Sequence, residues 1–378
     1  MDELELRAWL QLVRYSRLHA DSLAPLFATF DSPVDIVNAD VEALIGAGFK
    51  PHIAARLTTP DQARLDADMQ WAQTAGHRFV IYTERAYPRF LRQLHAAPLG
   101  VFVCGQIESL QLPQLAIVGA RNPTARGRET AEAFAAHLSA CGLAITSGLA
   151  AGIDGAAHRG ALRSKGVTIA VCATGLDTVY PADHRELAEK ICERGALLSE
   201  FPPGTTVHRR FFPRRNRLIS GLSLGTLVVE AALQSGSLIT ARFAADQGRE
   251  VFAIPGSIHN PLSRGCHQLL RQGAKLVEDA ADILVELGPL AALCSSALTP
   301  AELSVAALAD SRFSTLPLDK EYKMLLDALG FEPSSVDQLV ARTGLKAEEV
   351  ASMLLILELD GRVEAGAGAV YLQTASGL

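Results

Sequence analysis

No two of the six cysteines (Cys104, Cys141, Cys172, Cys192, Cys266, Cys294) form a CxxC pair, and the ten histidines include no HExxH or other close ligand pair. A disulfide framework is therefore excluded and a zinc site has no support, so neither metal nor cofactor is expected; scattered thiols suit a reducing cytoplasm. Nowhere do 18 apolar residues run together, and the N-terminal MDELELRAWLQ is acidic and amphipathic rather than basic with an apolar stretch. The expectation is a cytoplasmic protein that neither spans a membrane nor is secreted. A GxxxxGK[ST] loop and a GxSxG elbow are both missing, which removes the simplest ATP-binding and serine-nucleophile readings. Positive charge is also short, with a formal net charge of −6.

What is present is apolar residue, 49% of a 378-residue chain, enough for two to three domains with a sizeable core. The charge is unevenly spread. Residues 1–76 hold 6 basic and 11 acidic groups, residues 77–315 hold 24 and 20, and residues 316–378 hold 5 and 10, so only the middle is basic. Residues 4–76 read as several short helices, with helical spacing in LELRAWLQLV and ARLDADMQWA. VEALIGAGFKPHIAARL reads as a helix, a glycine-containing hairpin and a second helix; such a unit can bind a DNA phosphate, but the acidity of this region favours a packing module.

From His77 the pattern changes to short apolar runs alternating with amphipathic segments. Strands are expected near Phe79–Tyr82, Val101–Cys104, Leu115–Val118, Leu143–Thr146, Val167–Cys172, Ala196–Leu198, Thr226–Val229, Val251–Ile254 and Lys275–Val277. Helices are expected at Thr124–Cys141, Asp154–Lys165, Asp183–Arg194, Ile239–Gln247 and Leu262–Gln272. Near-continuous apolar strands alternating with helices indicate an α/β fold, a doubly wound and mainly parallel sheet covered on both faces. Ligands of such sheets bind beyond the carboxyl ends of the strands. There the chain places GARNPT, SGLAAGID, ATGLDTVYP and SGSLIT. In LAITSGLAAGIDGAAHRGA an apolar run breaks into a glycine-rich loop and then a helix, the layout of a phosphate-binding turn or of a tight turn needing small residues for packing.

Residues 208–217, HRRFFPRRNR, place five arginines and two phenylalanines in ten positions with no acid. Guanidiniums hold phosphates and aromatic rings stack on exposed bases, which single strands offer. The alternative is a solvated basic loop anchored by Phe211 and Phe212. Residues 288–318 are rich in Ala, Ser and Pro and read as a linker. Beyond it, Tyr322–Leu329, Ser335–Arg342 and Ala347–Leu359 read as three helices followed by two β-like runs around GAGA, as in a winged helix-turn-helix. Glu348 and Glu349 stand at the end of the third helix that would enter a groove, so protein contact is favoured over DNA contact.

SGLAAGIDGAAHRGAL, TGLDTVYPADHREL, FPPGTTVHRRFFPRRNRLISGLS, VVEAALQSGSLITARFAADQGREVFAIPG and GCHQLLRQGA, over roughly residues 80–285, resemble the DNA-processing protein A family, also called Smf. The resemblance implies a Rossmann-like core at 77–287 between a small helical, SAM-like or helix-hairpin-helix-like domain at 1–76 and a winged-helix domain at 319–378. It implies a non-enzymatic protein that binds and protects incoming single-stranded DNA in natural transformation, dimerises through its core and helps load the recombinase RecA. By correspondence, Arg121 is the phosphate-gripping arginine, in Gly-Ala-Arg where the family often has Gly-Ser-Arg. Ser147 and Gly148, then Gly236, Ser237 and Thr240, offer hydroxyls and backbone N–H groups. Arg185 extends the path. Arg209, Arg210, Phe211, Phe212, Arg214, Arg215, Asn216 and Arg217 complete the expected DNA-binding set. Asp154 and His158 read as a helix cap and a packed histidine rather than catalytic groups. Leu269 and Leu270, on a short helix between Gly265 and Gly273, are candidates for the dimer contact.

A nucleotide-processing enzyme is the rival. The core more distantly resembles phosphoribohydrolases carrying PGGxGTxxE, but GLSLGTLVVEA puts Val229 where the catalytic glutamate belongs and Glu230 one residue later, turned to the other face of a strand. A dinucleotide oxidoreductase is weaker, because SGLAAGIDG lacks the GxGxxG spacing.

Overall fold

The computed structural model describes residues 2–16, 18–295, 320–330, 333–359, 363–366 and 370–373. Contacts divide the chain into two compact units, residues 1–303 and 304–378. The first opens with helices α1 (Glu3–Ser16), α2 (Leu23–Phe27), α3 (Pro33–Asn38), α4 (Val41–Gly46), α5 (Pro51–Thr58) and α6 (Gln62–Gln73). The hairpin between α4 and α5 turns at Gly48, whose φ of +96° suits a residue without a Cβ. These helices have no core of their own. Trp9, Leu10, Leu57 and Leu65 pack in one cluster with Phe79, Ile81, Leu99 and Phe102 of the following sheet region, so the expected boundary at residue 76 crosses a continuous core.

Nine strands follow: β1 (His77–Ile81), β2 (Gly100–Gly105), β3 (Gln114–Val118), β4 (Ala144–Ser147), β5 (Thr168–Val171), β6 (Ala196–Ser199), β7 (Gly225–Val228), β8 (Glu250–Ala253) and β9 (Lys275–Leu276). They form one sheet in the order β1-β2-β6-β5-β4-β3-β7-β8-β9, parallel from β6 to β9, with β1 and β2 added antiparallel at one edge. Each apolar run read as a strand is therefore a strand, because both faces of β3 to β7 are covered and every residue in them is buried. Between and after the strands lie α7 (Arg89–Arg92), α8 (Ala125–Ala140), α9 (Ile153–Arg163), α10 (Arg185–Arg194), α11 (Phe211–Leu222), α12 (Gly236–Asp246), α13 (Arg264–Arg271) and α14 (Ala280–Ser295).

Two segments depart from the sequence reading. The basic stretch enters α11 at Phe211; Pro213 falls in the first turn, where a missing N–H breaks no helical bond, and Arg215, Leu218, Ile219 and Leu222 form the buried face. Helix α14 runs through residues 288–295 of the expected linker, drawn on by Ile283 and Leu287 in the core and by the Ala- and Leu-rich run that follows. Residues 296–318 of that linker lie outside the described residues.

In the second unit, α15 (Lys320–Leu329), α16 (Val336–Thr343) and α17 (Ala347–Leu359) enclose Leu325, Leu329, Leu339, Val350, Leu354 and Leu357, beside a small sheet of β10 (Ser334–Ser335), β11 (Val363–Gly366) and β12 (Val370–Gln373). Ser335 and Gln338 close a capping box at the start of α16, and Gly344 ends it at φ +72°.

Candidate nucleic-acid interface

The chain runs outward from β3 through β4, β5 and β6, then crosses to the other side at β7 and continues through β8 and β9. The winding direction reverses between β3 and β7, and a crevice opens beyond their carboxyl ends. It holds a cleft of about 290 Å³, floored by Val118 and Gly119, with Arg121 on one side, Phe212 and Arg215 of α11 on another, and the start of α12 from Ser235 to Thr240 opposite. A smaller pocket of about 70 Å³ adjoins it, lined by Arg121, Thr174, Tyr180, Phe212 and Arg215.

The glycine-rich loop does not present an empty anion seat. The Asp154 carboxylate turns back into the loop, accepts the Ala150 N–H at 3.4 Å and lies on the Gly148 N–H. The loop's anion is thus a side chain of the chain itself. Burial pushes the Asp154 carboxyl above its ordinary range, opposed by the nearby Arg215 guanidinium. Gly148 serves a different need from close approach to a ligand. A Cβ there would fall 1.6 Å from Arg215 Nη1, so the glycine is the space that the guanidinium fills. Gly152, at φ +84°, presses on the turn after β3, where a Cβ would fall 2.3 Å from the Ala120 carbonyl oxygen. The wholly buried Ser147 donates its hydroxyl to Ile117 O at 2.6 Å, which corrects the reading of that hydroxyl as a ligand contact: it is spent within the sheet.

The basic segment divides by direction. Arg209 and Arg210 are exposed, and the Arg210 guanidinium stands 5.3 Å from the centre of the Phe211 ring. Arg214 and Arg217 both close on the buried Glu200 carboxylate, at 2.7 and 2.5 Å, and Arg217 also donates to Ala96 O at 3.0 Å. Arg217 is therefore a structural cation, a correction to its place among the strand contacts. Arg215 is buried and donates to Val171 O at 2.9 Å, leaving its Nε–H without an acceptor among the described residues. Asn216 Nδ2 donates to Gly236 O at 3.3 Å and so ties α11 to α12. Phe211 packs on the buried Phe201, ring centres 4.5 Å apart. Phe212 instead faces the cleft, 4.9 Å from Arg121 and 6.0 Å from the ring of Tyr180.

At the start of α12, Gly236 is exposed and Ser237 is buried, its Oγ shared with Ser235 Oγ at 2.6 Å; Thr240 lies one turn further on and also lines the cleft. Arg185 is exposed at the start of α10 and lines neither pocket. Sequence reasoning missed Tyr180 and Glu200. TVYP after β5 carried the first signal, and the acid in LLSEFPPG, upstream of the arginines, carried the second.

A family model described as DNA recombination-mediator protein A matches residues 78–288, and one described as DprA winged helix domain matches residues 309–369. The chain is 39% identical to Protein Smf of Escherichia coli (strain K12) over 95% of this chain and 94% of that one. It is 46% identical to DNA processing protein DprA of Streptococcus pneumoniae over 53% of this chain and 71% of that one. The X-ray structure of DNA processing protein A from Streptococcus pneumoniae superposes with a TM-score of 0.66 at 35% identity, covering 76% of this chain and 98% of that one. This chain belongs to the DNA-processing protein A family. A further solved structure, titled for the unique single-stranded DNA binding mode of DNA processing protein A from Helicobacter pylori, gives a TM-score of 0.51 at 28% identity, covering 56% of this chain and 95% of that one.

Two other side groups were weighed as chemistry in this DNA-processing protein A chain. Glu230 accepts the Thr124 N–H at 2.9 Å and the Thr124 hydroxyl at 2.7 Å, so both its oxygens cap α8. His158 Nδ1 donates to Thr168 Oγ1 at 2.7 Å, because that hydroxyl gives its own hydrogen to Ile145 O; burial pushes the imidazole down to about 3, and it stays neutral. Among the described residues no group of three or more His, Cys, Asp or Glu is placed to hold a metal ion.

The leucine pair expected at the dimer contact is mostly spent. Leu269 is 8% exposed and sits in the main core, with Leu270 packed against it, because α13 turns that face onto the sheet. Exposed apolar surface lies instead on the neighbouring groove of about 730 Å³, where Leu233 and Ile239 are 53% and 41% exposed.

Proposed function

We propose that this protein binds single-stranded DNA along the carboxyl edge of its sheet, with the strand crossing the cleft between Arg121, Phe212 and the start of α12. The observation that carries the reading is the pairing of Arg121 with Phe212. The exposed guanidinium can hold a phosphate while the ring beside it takes the face of an unpaired base. A duplex keeps its base faces stacked and gains only the charge. Arg209, Arg210 and Arg185 extend the positive path, with Arg214 reaching its rim from the Glu200 pair. Gly236, Ser237 and Thr240 supply the helix start, and Gly148 and Arg215 shape the floor. The family's description as a recombination mediator and the single-strand binding named for the Helicobacter pylori relative support the same reading.

On this reading the protein is not an enzyme: it shields incoming single strands during natural transformation in the cytoplasm and helps load RecA on them. No helix among the described residues is long and apolar enough to cross a membrane. The active particle is a homodimer through the core, with Leu233 and Ile239 beside α13 offering the apolar contact, so that two clefts engage one strand and gain by effective concentration. The test is a fluorescence titration of single-stranded and duplex oligonucleotides of equal length across salt. Tighter, salt-dependent single-strand binding is expected; equal affinity for both overturns the reading.

A further inference from the structure

Three charged side chains line the cleft: Arg121, Arg215 and Asp154. Arg121 is exposed at the mouth, and among the described residues no carboxylate lies within ion-pair distance of it. Arg215 and Asp154 form the floor, 4% and 8% exposed. Their side chains converge on one spot, since a Cβ on Gly148 would lie 1.6 Å from Arg215 Nη1 and 2.6 Å from Asp154 Oδ2. Two guanidiniums against one carboxylate leave the lining with one positive charge.

A site that only needed to attract phosphate gains nothing from a buried carboxylate beside its arginine. Asp154 does more than cap α9: it occupies the glycine-loop N–H groups of Gly148 and Ala150 that a phosphate would otherwise take. Any phosphate entering the cleft meets that carboxylate behind Arg215. In a strand, each internal phosphodiester carries a single negative charge. A terminal phosphomonoester carries about −1.5 to −2 at neutral pH. The first matches the lining charge; the second leaves an excess anion facing a carboxylate where water is scarce and charge is poorly screened.

We infer that Asp154 makes this cleft selective for internal phosphodiesters over terminal phosphomonoesters, so that the protein seats on the body of a strand rather than on its phosphorylated 5′ end. This rests on the single-strand reading above and names which phosphate that site accepts. Asp154 is thereby a specificity-determining residue. Arg215 is its partner, held so that the Nε–H left without an acceptor stays inside the cleft wall.

The experiment displaces a fluorescent oligothymidylate from the full chain with thymidine 5′-monophosphate or with its methyl phosphodiester, at one pH above the second phosphate ionisation and one salt concentration. The phosphodiester is expected to compete better by about tenfold, a modest share of what one extra charge is worth in a partly buried site. In Asp154→Asn the order reverses or the gap closes, while displacement by the phosphodiester changes less. A monoester that competes as well as or better than the diester in the parent protein overturns the inference whether or not the variant folds. So does the failure of both to compete while Arg121→Ala still abolishes strand binding, since the cleft then does not select on an isolated phosphate. Strand binding that Arg121→Ala leaves unchanged overturns the single-strand site itself, a separate failure.

Discussion

The Arg121 guanidinium stands 4.9 Å from the centre of the Phe212 ring, one residue from the loop after β3 and the other from the first turn of α11. Nothing local in the chain links them. The sheet's reversal between β3 and β7 brings them together, and the pair gives each phenylalanine of the Phe-Phe step a separate part. Phe212→Ala is expected to weaken single-strand binding by about 1–3 kcal/mol, the usual range for a lost base stack, with the melting temperature nearly kept. Phe211→Ala should do the opposite, lowering thermal stability through the lost packing on Phe201 while binding changes less. Titration and thermal melts of both variants check this.

The five arginines of the basic segment should likewise separate. Arg209→Ala and Arg210→Ala are expected to leave the fold intact and each to reduce the salt slope of single-strand binding by about 0.7, the value for one lost phosphate contact. Arg217→Ala removes a partner of the buried Glu200 and the bond to Ala96 O, so a loss of stability of about 1–3 kcal/mol is expected with little change in salt slope. Salt-dependent titration beside denaturant unfolding distinguishes the two groups.

Gly148→Ala should be more damaging than an ordinary loop substitution. The added methyl falls on Arg215 Nη1, so either the guanidinium leaves Val171 O or β4 and its loop move. Lower stability and weaker strand binding are expected together. A variant with both unchanged shows that the glycine is not the seat of Arg215.

Glu230→Gln is expected to cost about 1 kcal/mol through the weakened cap of α8 and to leave single-strand binding unchanged. An assay for base release from nucleoside monophosphates should read the same background for parent and variant. Base release by the parent that is lost in Glu230→Gln establishes a catalytic carboxylate and contradicts the structural role.

The sheet was legible because its strands are buried on both faces, which writes them as short apolar runs such as Leu115–Val118 and Val167–Cys172 with glycine or hydroxyl turns after them. Helix α11 was not. Its first turn holds Pro213 among unpaired-looking arginines, and the apolar face that makes it a helix begins with a buried Arg215 that no periodicity count treats as core. The glycine-rich loop was legible as a turn, but Asp154 was read only as a cap, because the sequence does not show that its carboxylate folds back onto the N–H groups of the same loop. Glu200 shows the same limit: eight residues separate it from the start of the basic stretch at Arg209, and only the fold brings Arg214 and Arg217 onto it. Leu269 and Leu270 illustrate the reverse, a leucine pair whose exposure depended on which way a two-turn helix faced.

The most direct measurement is the affinity of one long single-stranded oligonucleotide for the parent protein and for Arg121→Glu, at fixed salt, with circular dichroism and sedimentation confirming that fold and assembly are kept. An exposed arginine at a strand end contributes charge and not core, so the reversal should leave both unchanged while affinity falls by about two orders of magnitude or more, the effect of replacing an attractive charge with a repulsive one at the mouth of the cleft. A folded Arg121→Glu protein that binds the strand as tightly as the parent contradicts the account, because the single strand then does not pass through this cleft.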